Sequence, residues 1–310
     1  MGRYVLNRLL QLILVLFGVS IAIFLILRVI PGDPAALMLP MDAPREQVEH
    51  LREVLGLKEP LHVQYLTFIS NALRGDLGDS FRWKIPATEL VLSRLPATLQ
   101  LTVAAMAWAV VLSLIMGVLA GASQGSLVDR FILALNSLIQ ATPSFWFGLV
   151  LIIVFALRWK ALPAMGRGNI EHVLMPSFTL SLVLIPTLAL TIRTNLHQIL
   201  HEDFVRTARA KGLSEGVVLL KHATAPLLIS LITILGMQFG RLLGGAFIIE
   251  VVFAWPGIGD LTLQAIRARD YTVVQAVTLI VSGIFVLVNL FVDLSYAFID
   301  PRVRLSRGGR

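Results

Sequence analysis

Polar side chains inside long apolar stretches are the residues of this chain best placed to do chemistry. Arg241 lies near the middle of the apolar stretch 227–253, with Gln238 three residues before it and Gly245 four residues after it. These three residues share one face of a helix. An ionisable group at the centre of a membrane helix costs about 2.5–3.5 kcal/mol on insertion scales and marks a functional site by default. The pattern predicts that Gln238 and Arg241 line a polar path through the membrane; a structural ion pair is the alternative.

Three further polar residues lie within or at the ends of apolar stretches. Asp293 is the available partner for Arg241, but at about 1.5 Å of rise per residue their depths differ by about 12 Å. Asn289 and Asp293 are four residues apart, which favours hydrogen bonding between helices over substrate binding. Arg193 ends another apolar stretch, and we expect its long side chain to extend towards the lipid headgroups.

Signatures of enzymes are missing from the chain. It contains no G-x-x-x-x-G-K-[ST] motif to cradle nucleotide phosphates. His201 and Glu202 begin like a zinc-protease helix, but Val205 stands where the second histidine is needed. The chain has no cysteine, which excludes disulfides, cysteine-ligated zinc and thiol catalysis. The sequence therefore favours a conduit or scaffold, with no cofactor or metal of its own, over an enzyme.

The basic segment 194–227 is the most informative one outside the apolar stretches. Three apolar residues recur at intervals of four and predict one helical face: Leu200, Phe204 and Ala208. Gly212 suits the position just after a helix, and Ser214 suits the cap of the next helix. The segment therefore predicts two short helices separated by a glycine. Such a pair either lies on the lipid headgroups or docks in a groove of a cytosolic partner.

Long apolar segments must position these residues. A membrane helix needs about 20 mostly apolar residues, and six segments qualify: 9–30, 97–121, 131–157, 173–193, 227–253 and 273–298. Only 15% of the residues are charged, whereas about 25% is usual in a soluble domain, so much of the surface must face lipid. Pro143 and Pro186 lie inside two of the segments and predict kinks. We predict an all-α polytopic membrane protein with six transmembrane helices.

Charge asymmetry predicts the orientation of these helices. The short segments on the side of both termini hold eleven Lys and Arg, against five in the short loops of the other side. Because Lys and Arg favour the cytosolic side, both termini are predicted to be cytosolic, in the inner membrane of a bacterium. The basic residues lie at the ends of apolar stretches rather than in one patch, which argues against a nucleic-acid partner. Residues 9–30 exceed a usual signal-peptide core, and no A-x-A-like site follows them, so they are predicted to remain as a helix.

The outer segment 31–96 is long enough for structure of its own. Pro60 is predicted to open a helix that ends near Gly75, and a shorter helix is predicted over residues 87–95, stopped by Pro96. We expect either a small cap on the outer membrane surface or a docking surface for an external partner. The predicted division is 1–96 (first helix and cap), 97–298 (five-helix core with the loop 194–227) and 299–310 (basic cytosolic tail).

Several short sequences together resemble one family. They are Pro31-Gly32-Asp33-Pro34, Gly75-Asp76-Leu77-Gly78, Leu95-Pro96-Ala97-Thr98-Leu99, Pro143-Ser144-Phe145-Trp146, the stretches 202–214 and 253–259, Arg269-Asp270-Tyr271 and Asp300-Pro301-Arg302. Over nearly its whole length the chain resembles the permease subunits of the ABC dipeptide/oligopeptide importers, and it looks closest to the glutathione/dipeptide permeases among them. The stretch 202–214 resembles the coupling loop of that family, although Arg206-Thr207-Ala208 stands where the general importer pattern has Glu-Ala-Ala.

The resemblance implies a type I ABC importer transmembrane fold, in which the segment 199–221 is a coupling helix docked on an ATPase. The coupling residues that it implies are Glu202, Phe204, Arg206, Ala208, Arg209, Gly212 and Ser214. Besides the lipid bilayer, it implies as partners a second homologous permease subunit, two cytosolic ATPase subunits that carry ATP and Mg²⁺, an external substrate-binding protein and a peptide substrate. The role of Arg241 rests on the membrane argument alone, because the resemblance does not lead us to expect an arginine there.

Alternatives stay open for the substrate and for the class of protein. Members of the same family import oligopeptides or nickel chelates. A stand-alone secondary transporter would need an ion site near the midplane of repeated halves, and no repeat of 20–50 residues is visible. An intramembrane enzyme would be active as the purified chain alone. Neither of these two classes accounts for the basic loop 194–227.

Overall fold

The computed structural model describes residues 2–29, 34–37, 43–54, 56–218 and 224–299. Over these residues the regular structure is helical, apart from an isolated bridge between Asp79 and Pro86. The helices are α1 (Gly2–Val29), α2 (Pro34–Leu37), α3 (Arg45–Val54), α4 (Leu61–Leu73), α5 (Ala87–Ala122), α6 (Leu127–Ala141), α7 (Ser144–Leu151) with a π-helical extension (Ile152–Arg158), α8 (Ile170–Ser181), α9 (Ile185–Leu200), α10 (Asp203–Ala210), α11 (Glu215–Val217), α12 (Thr224–Val252), α13 (Ile258–Ala268) and α14 (Tyr271–Ile299). The prediction of an all-α protein is confirmed.

The chain forms two compact units. The first comprises residues 1–96 and 257–290, and the second comprises residues 97–256 and 291–310. The predicted division into 1–96, 97–298 and 299–310 concerns function and stays a prediction. Residues 300–310 of the predicted tail lie outside the described residues.

Two long helices and three bent helix pairs form the longest apolar segments among the described residues. By length and composition, Ala87–Ala122 and Tyr271–Phe291 are each able to span a membrane. Three bent pairs qualify if each is one span: Leu127–Ala141 with Ser144–Arg158, Ile170–Ser181 with Ile185–Leu200, and Ile234–Gly240 with Leu242–Val252. A shorter apolar helix covers Leu10–Ile26. The count of six spans therefore stays a prediction, with two to five supported in the described part of the chain.

Both predicted kinks are present. α6 meets α7 and its π-helical extension at 97°, and Pro143 takes the N-cap position of α7. α8 meets α9 at 60°, and Pro186 stands in the first turn of α9. Proline suits the start of a helix because the first N–H groups have no acceptor within that helix. Each bend therefore falls where a proline costs little.

The predicted helix stop at Pro96 is wrong. α5 runs from Ala87 to Ala122 and carries Pro96 inside it. An interior proline removes one backbone hydrogen bond and costs about 3 kcal/mol. Burial of the helix before and after the proline outweighs that cost: Val91 is fully buried in the core of the first unit, and Leu101 is fully buried in the core of the second.

A stripe of mostly small residues on α5 builds the core of the second unit. The buried residues follow at intervals of four: Ala97, Leu101, Ala105 and Ala109. They belong to one cluster with larger residues of α8, α9 and α12, namely Leu180, Ile185, Leu188, Leu242 and Ile249. Small side chains let membrane helices approach closely, so that dispersion contacts hold them together where lipid removes the hydrophobic driving force.

α5 and α9 touch at two glycines. Gly117 and Gly121 stand four residues apart on α5. A Cβ placed on Gly117 would lie 2.6 Å from the Cβ of Ile192 and 2.8 Å from the carbonyl oxygen of Ala189. A Cβ on Gly121 would lie 3.0 Å from the carbonyl oxygen of Arg193. The two backbones are therefore in contact, as in the Gly-x-x-x-Gly packing of membrane helices.

A buried aspartate links two elements of the first unit by hydrogen bonds. Asp270 precedes α14, and its Oδ1 accepts the backbone N–H of Val273 at 3.3 Å, which caps that helix. Its Oδ2 accepts the hydroxyl of Ser80 at 2.6 Å and the backbone N–H of Arg82 at 3.3 Å. The carboxylate thereby joins the loop before α5 to the start of α14.

The helix predicted to begin after Pro60 is present as α4, and it packs on α1. The Tyr65 ring lies 5.2 Å from the Phe24 ring, and its hydroxyl is 2.8 Å from Ser20 Oγ. Arg28 donates from Nε and Nη2 to Gln64 Oε1 at 3.0 and 2.9 Å. A polar residue of the first apolar helix is thus satisfied by a helix of the predicted cap.

We predict that Gly117→Ala destabilises the chain by about 1–3 kcal/mol, because the added methyl group overpacks the contact with α9. Gly244→Ala is the matched control: Gly244 is also helical, but nothing lies within 4 Å of its added Cβ. Thermal unfolding of the purified chain in detergent checks this. An unchanged unfolding temperature for Gly117→Ala would contradict the observed contact.

Candidate functional site

The predicted coupling loop starts where α9 ends. Two backbone hydrogen bonds close the last turn of α9. The N–H of His201 donates to the carbonyl of Gln198 at 3.0 Å, and the N–H of Glu202 donates to the carbonyl of Ile199 at 3.1 Å. Glu202 is extended and takes the N-cap position of α10. Asp203 follows in the first turn of α10, where a negative charge favours the helix dipole. The chain therefore turns sharply at 201–202 and does not continue as one helix.

α10 buries a different face from the one predicted. Val205 and Ala208 are buried, three residues apart, and cluster with Val218 and the end of α9. Phe204 points outwards and is 45% exposed. The prediction that Leu200, Phe204 and Ala208 form one face is therefore wrong. The turn at 201–202 breaks the register that a four-residue spacing assumes.

The predicted glycine turn is confirmed. Gly212 follows α10 with a φ of +78°, a left-handed conformation that glycine adopts without strain. The N–H of Gly212 donates to the carbonyl of Arg209 at 2.9 Å, and the N–H of Leu213 donates to that of Ala208 at 3.4 Å. This is the hydrogen-bond pattern of a Schellman motif. Ser214 directly precedes α11, and its carbonyl accepts the N–H of Val218 at 3.0 Å.

Several apolar side chains of the segment remain exposed. Phe204, Leu213 and Val217 are all exposed, and the last two were not predicted. Arg206 is exposed beside Asp203, at 3.7 Å between their charged groups. Arg209 donates to the carbonyl of Leu200 at 3.3 Å and so ties α10 to the end of α9. The site thus has a small core of its own, basic residues around it, and apolar side chains turned away from that core.

The two predicted path residues lie on α12. Gln238 is buried. The side chain of Arg241 lies outside the described part of the structure, as does that of Asp293. On the same face, a Cβ on Gly245 would lie 3.4 Å from Leu180, so this face packs inwards at Gly245. A role of Gln238 and Arg241 in a translocation path stays a prediction.

Arg193 does not extend towards headgroups as expected. Its Nε and Nη2 donate to the two carboxylate oxygens of Asp129 at 2.6 and 2.8 Å. The side chains of Arg193 and Asp129 are 17% and 3% exposed. The expectation failed because the partner lies 64 residues earlier in the chain, where helical spacing gives no signal.

The buried carboxylate of Glu250 was also missed. It is fully buried on α12 and accepts the hydroxyl of Thr98 at 2.6 Å. Nearby in sequence, the buried Trp255 donates from its indole N–H to the carbonyl of Ala97 at 2.9 Å. A glutamate inside an apolar stretch is a visible signal, since such groups are costly and need partners. The sequence does not indicate its partner Thr98, because 152 residues separate the two.

The fold is that of an ABC transporter transmembrane domain. It matches the methionine ABC transporter MetNI in inward-facing conformations, with a TM-score of 0.58 over 68% of this chain and 96% of that chain at 17% identity. It matches an amino acid ABC transporter crystallised with histidines, with a TM-score of 0.50 over 69% of this chain and 94% of that chain at 19% identity. At these identities the likeness concerns the fold alone.

Sequence comparison narrows this class. The family described as binding-protein-dependent transport system inner membrane component matches residues 109–305, and the N-terminal family of the same membrane components matches residues 1–102. The chain belongs to this family and is a multi-pass inner-membrane component of a transport system. The glutathione transport system permease protein GsiC of Escherichia coli (strain K12) is 40% identical over 304 residues, 98% of this chain and 99% of that protein. GsiC of Shigella dysenteriae serotype 1 (strain Sd197) matches to the same extent.

We predict that Gly212→Ala loosens the segment 203–218, because a left-handed conformation costs an L-residue about 1–2 kcal/mol. Gly216→Ala is the matched control: both glycines have open space around an added Cβ, and only Gly212 has a positive φ. Amide hydrogen exchange over 203–218 should become faster in Gly212→Ala and stay the same or slow in Gly216→Ala. Equal exchange in the two variants would show that the glycine turn does not hold the segment.

Proposed function

We propose that this chain is a permease subunit of an ATP-driven, binding-protein-dependent importer of short peptides, glutathione among them. One observation carries the proposal: the segment 199–218 folds on its own small core and leaves Phe204, Leu213 and Val217 exposed. We take these three side chains to form one patch, and an exposed apolar patch rimmed by polar residues is typical of a docking surface. In a transport-system membrane component, a cytosolic ATPase is the partner for such a surface.

The residues of the segment divide into two roles under this proposal. Phe204, Leu213, Val217 and the exposed charges of Glu202 and Arg206 contact the ATPase. Ala208, Arg209, Gly212 and Ser214 give the segment its shape, since they pack, cap or turn it. A short helix presented in a fixed orientation suits docking in a groove. It suits lying on headgroups less well, because α10 buries its main apolar face within the chain.

The orientation of the chain in the membrane follows from the distribution of its basic residues. With both termini cytosolic, the segment 194–227 faces the ATPases and the loops 158–172 and 254–272 face outwards, in agreement with the excess of Lys and Arg on the cytosolic side. The external binding protein then meets the outer face, and residues 31–96 supply part of that surface. Two ATPase subunits and a second, homologous permease subunit complete the importer.

Transport follows from contacts that differ between two states of the partners. ATP binding closes the ATPase pair, which moves the docked segment and opens the path outwards to receive substrate; hydrolysis resets it. A ligand shifts a conformational equilibrium only through such differential contacts. This chain performs no covalent chemistry and holds no cofactor of its own. Gln238 and Arg241 line the path, where a positive charge suits the carboxylates of a peptide.

Glutathione is the substrate to test first, because relatives that match over 98% of this chain are named for its transport. We predict that proteoliposomes holding the complete importer accumulate labelled glutathione when the ATPase side has ATP and the other side has binding protein. Uptake should persist in a protonophore and stop with a non-hydrolysable ATP analogue. Uptake driven by an ion gradient without ATPases would instead support a secondary transporter. Competition by dipeptides, longer peptides and nickel chelates ranks the alternative substrates.

For the partner, we predict that Phe204→Glu reduces recovery of the ATPases with the tagged chain by about tenfold or more, as loss of an apolar anchor in an interface does. Met165→Glu is the matched control: Met165 is also an exposed apolar residue, but it belongs to a loop predicted to be on the opposite side. Both variants should be recovered as folded chain from detergent. If Phe204→Glu retains the ATPases, or if the wild type is recovered alone, the proposed docking surface is wrong.

A further inference from the structure

Arg193 and Asp129 form a well-satisfied buried ion pair in the second unit. Both guanidinium bonds are short and reach both carboxylate oxygens, which is the strong, orientation-specific form of this contact. Asp129 Oδ2 also accepts the N–H of Gly125 at 2.8 Å. The N–H of Asp129 donates to Ser126 Oγ at 3.2 Å, which caps α6. The carboxylate is therefore fixed in the turn between α5 and α6.

Stability alone does not account for a buried ion pair. Removing two charges from water is expensive, and apolar replacements of similar volume are often as stable or more so. What the pair does supply is a contact of defined orientation between the elements that carry its two charges. Here these elements are the first turn of α6, which carries Asp129, and α9, which carries Arg193.

Arg193 is held on its backbone side as well. Gly121 lets α5 approach so closely that a Cβ there would lie 3.0 Å from the carbonyl oxygen of Arg193 and 3.2 Å from its Cα. The end of α5 thus contacts the backbone of Arg193, while the start of α6 holds its side chain. Neither sliding nor rotation of α9 is possible at this level without breaking one of these contacts.

α9 carries this fixed register into the coupling segment, as we call residues 199–218. Arg193 stands seven residues before the last residue of α9, about two helical turns or about 10 Å. Ile199 and Leu200 at that end pack on Val205, Ala208 and Val218, and Arg209 hydrogen-bonds the carbonyl of Leu200. The segment is therefore fixed to the end of α9, and α9 is fixed to α5 and α6.

We propose that Arg193 and Asp129 are positioning residues that make the coupling segment, α9 and the α5–α6 turn move as one body. This inference rests on the proposed function, because it assigns to the pair the transfer of ATPase movement into the membrane helices. Without the pair, the ATPases still dock on Phe204, Leu213 and Val217, but their movement is partly lost as motion of α9 against α5 and α6.

The test uses the double variant Asp129→Asn, Arg193→Gln in the complete importer. Removing both charges leaves no unpaired buried charge, so the chain should fold, and ATPase recovery in a pull-down should match the wild type. We expect glutathione transported per ATP hydrolysed to fall about fivefold or more, the range of measured couplings between sites. Ser137→Ala is the matched control, since this exposed residue of α6 lies outside the docking residues and its hydroxyl bonds the carbonyl of Leu133 within its own helix.

A second readout needs no substrate. The chain has no cysteine, so spin labels can be attached to single cysteines placed at the exposed positions Ser137 on α6 and Thr207 on α10. The distance distribution between them should be narrow in the wild type and broader in the double variant, with equal ATPase recovery. If the double variant keeps both the transport ratio and the narrow distribution, the positioning role is wrong. If the wild type itself fails to recover ATPases, the proposed function has failed, and the inference falls with it.

Discussion

The absence of water from the bilayer core is the constraint on which the structure of this chain depends. Backbone polar groups there must be satisfied within the chain, which leaves helices as the spanning elements. Lipid also removes the hydrophobic reason for helices to associate, so they need close backbone approach or polar partners. Both devices are present in the second unit. The alanines of α5 and the contacts of Gly117 and Gly121 with α9 supply the first. Three side-chain hydrogen-bond donors supply the second, from Arg193 to Asp129, from Thr98 to Glu250 and from Trp255 to Ala97.

The polar partners are placed where they cost least. Arg193 with Asp129 and Thr98 with Glu250 lie towards the ends of the apolar stretches, where the penalty for a charge is smaller than at the midplane. Proline follows the same rule. Pro143 is the N-cap of α7 and Pro186 lies in the first turn of α9, so the two large bends remove few hydrogen bonds. At these points the helices thus bend and pair at a low cost in unpaired hydrogen-bond donors.

Local chemistry was predictable from the sequence, and long-range partners were not. The length of the apolar stretches predicted the helices, the two prolines predicted the kinks, and Gly212 predicted the turn after α10. These predictions succeeded because each feature depends on residues within one or two helical turns. The stop at Pro96 was wrong because burial on both sides of a proline outweighs one lost hydrogen bond. The helical face predicted to contain Phe204 was wrong because the turn at residues 201–202 shifts the helical register. The partners of Arg193 and Glu250 are 64 and 152 residues away, and no periodic pattern connects them.

The size of α10 explains why the coupling segment is attached so firmly. A helix of eight residues is far below the length at which isolated helices are stable in water. α10 therefore exists because Val205 and Ala208 pack on Val218 and the end of α9, and because its C-terminus is closed at Gly212. Phe204 takes no part in that packing, so its exposure costs the segment no internal stability. Under the proposed function this arrangement suits a surface that transmits force: contacts that hold the segment face inwards to α9, and contacts available to a partner face outwards. An amphipathic helix lying on lipid would need its apolar residues on the outer face alone. Two apolar residues of α10, Val205 and Ala208, instead pack against the rest of the chain.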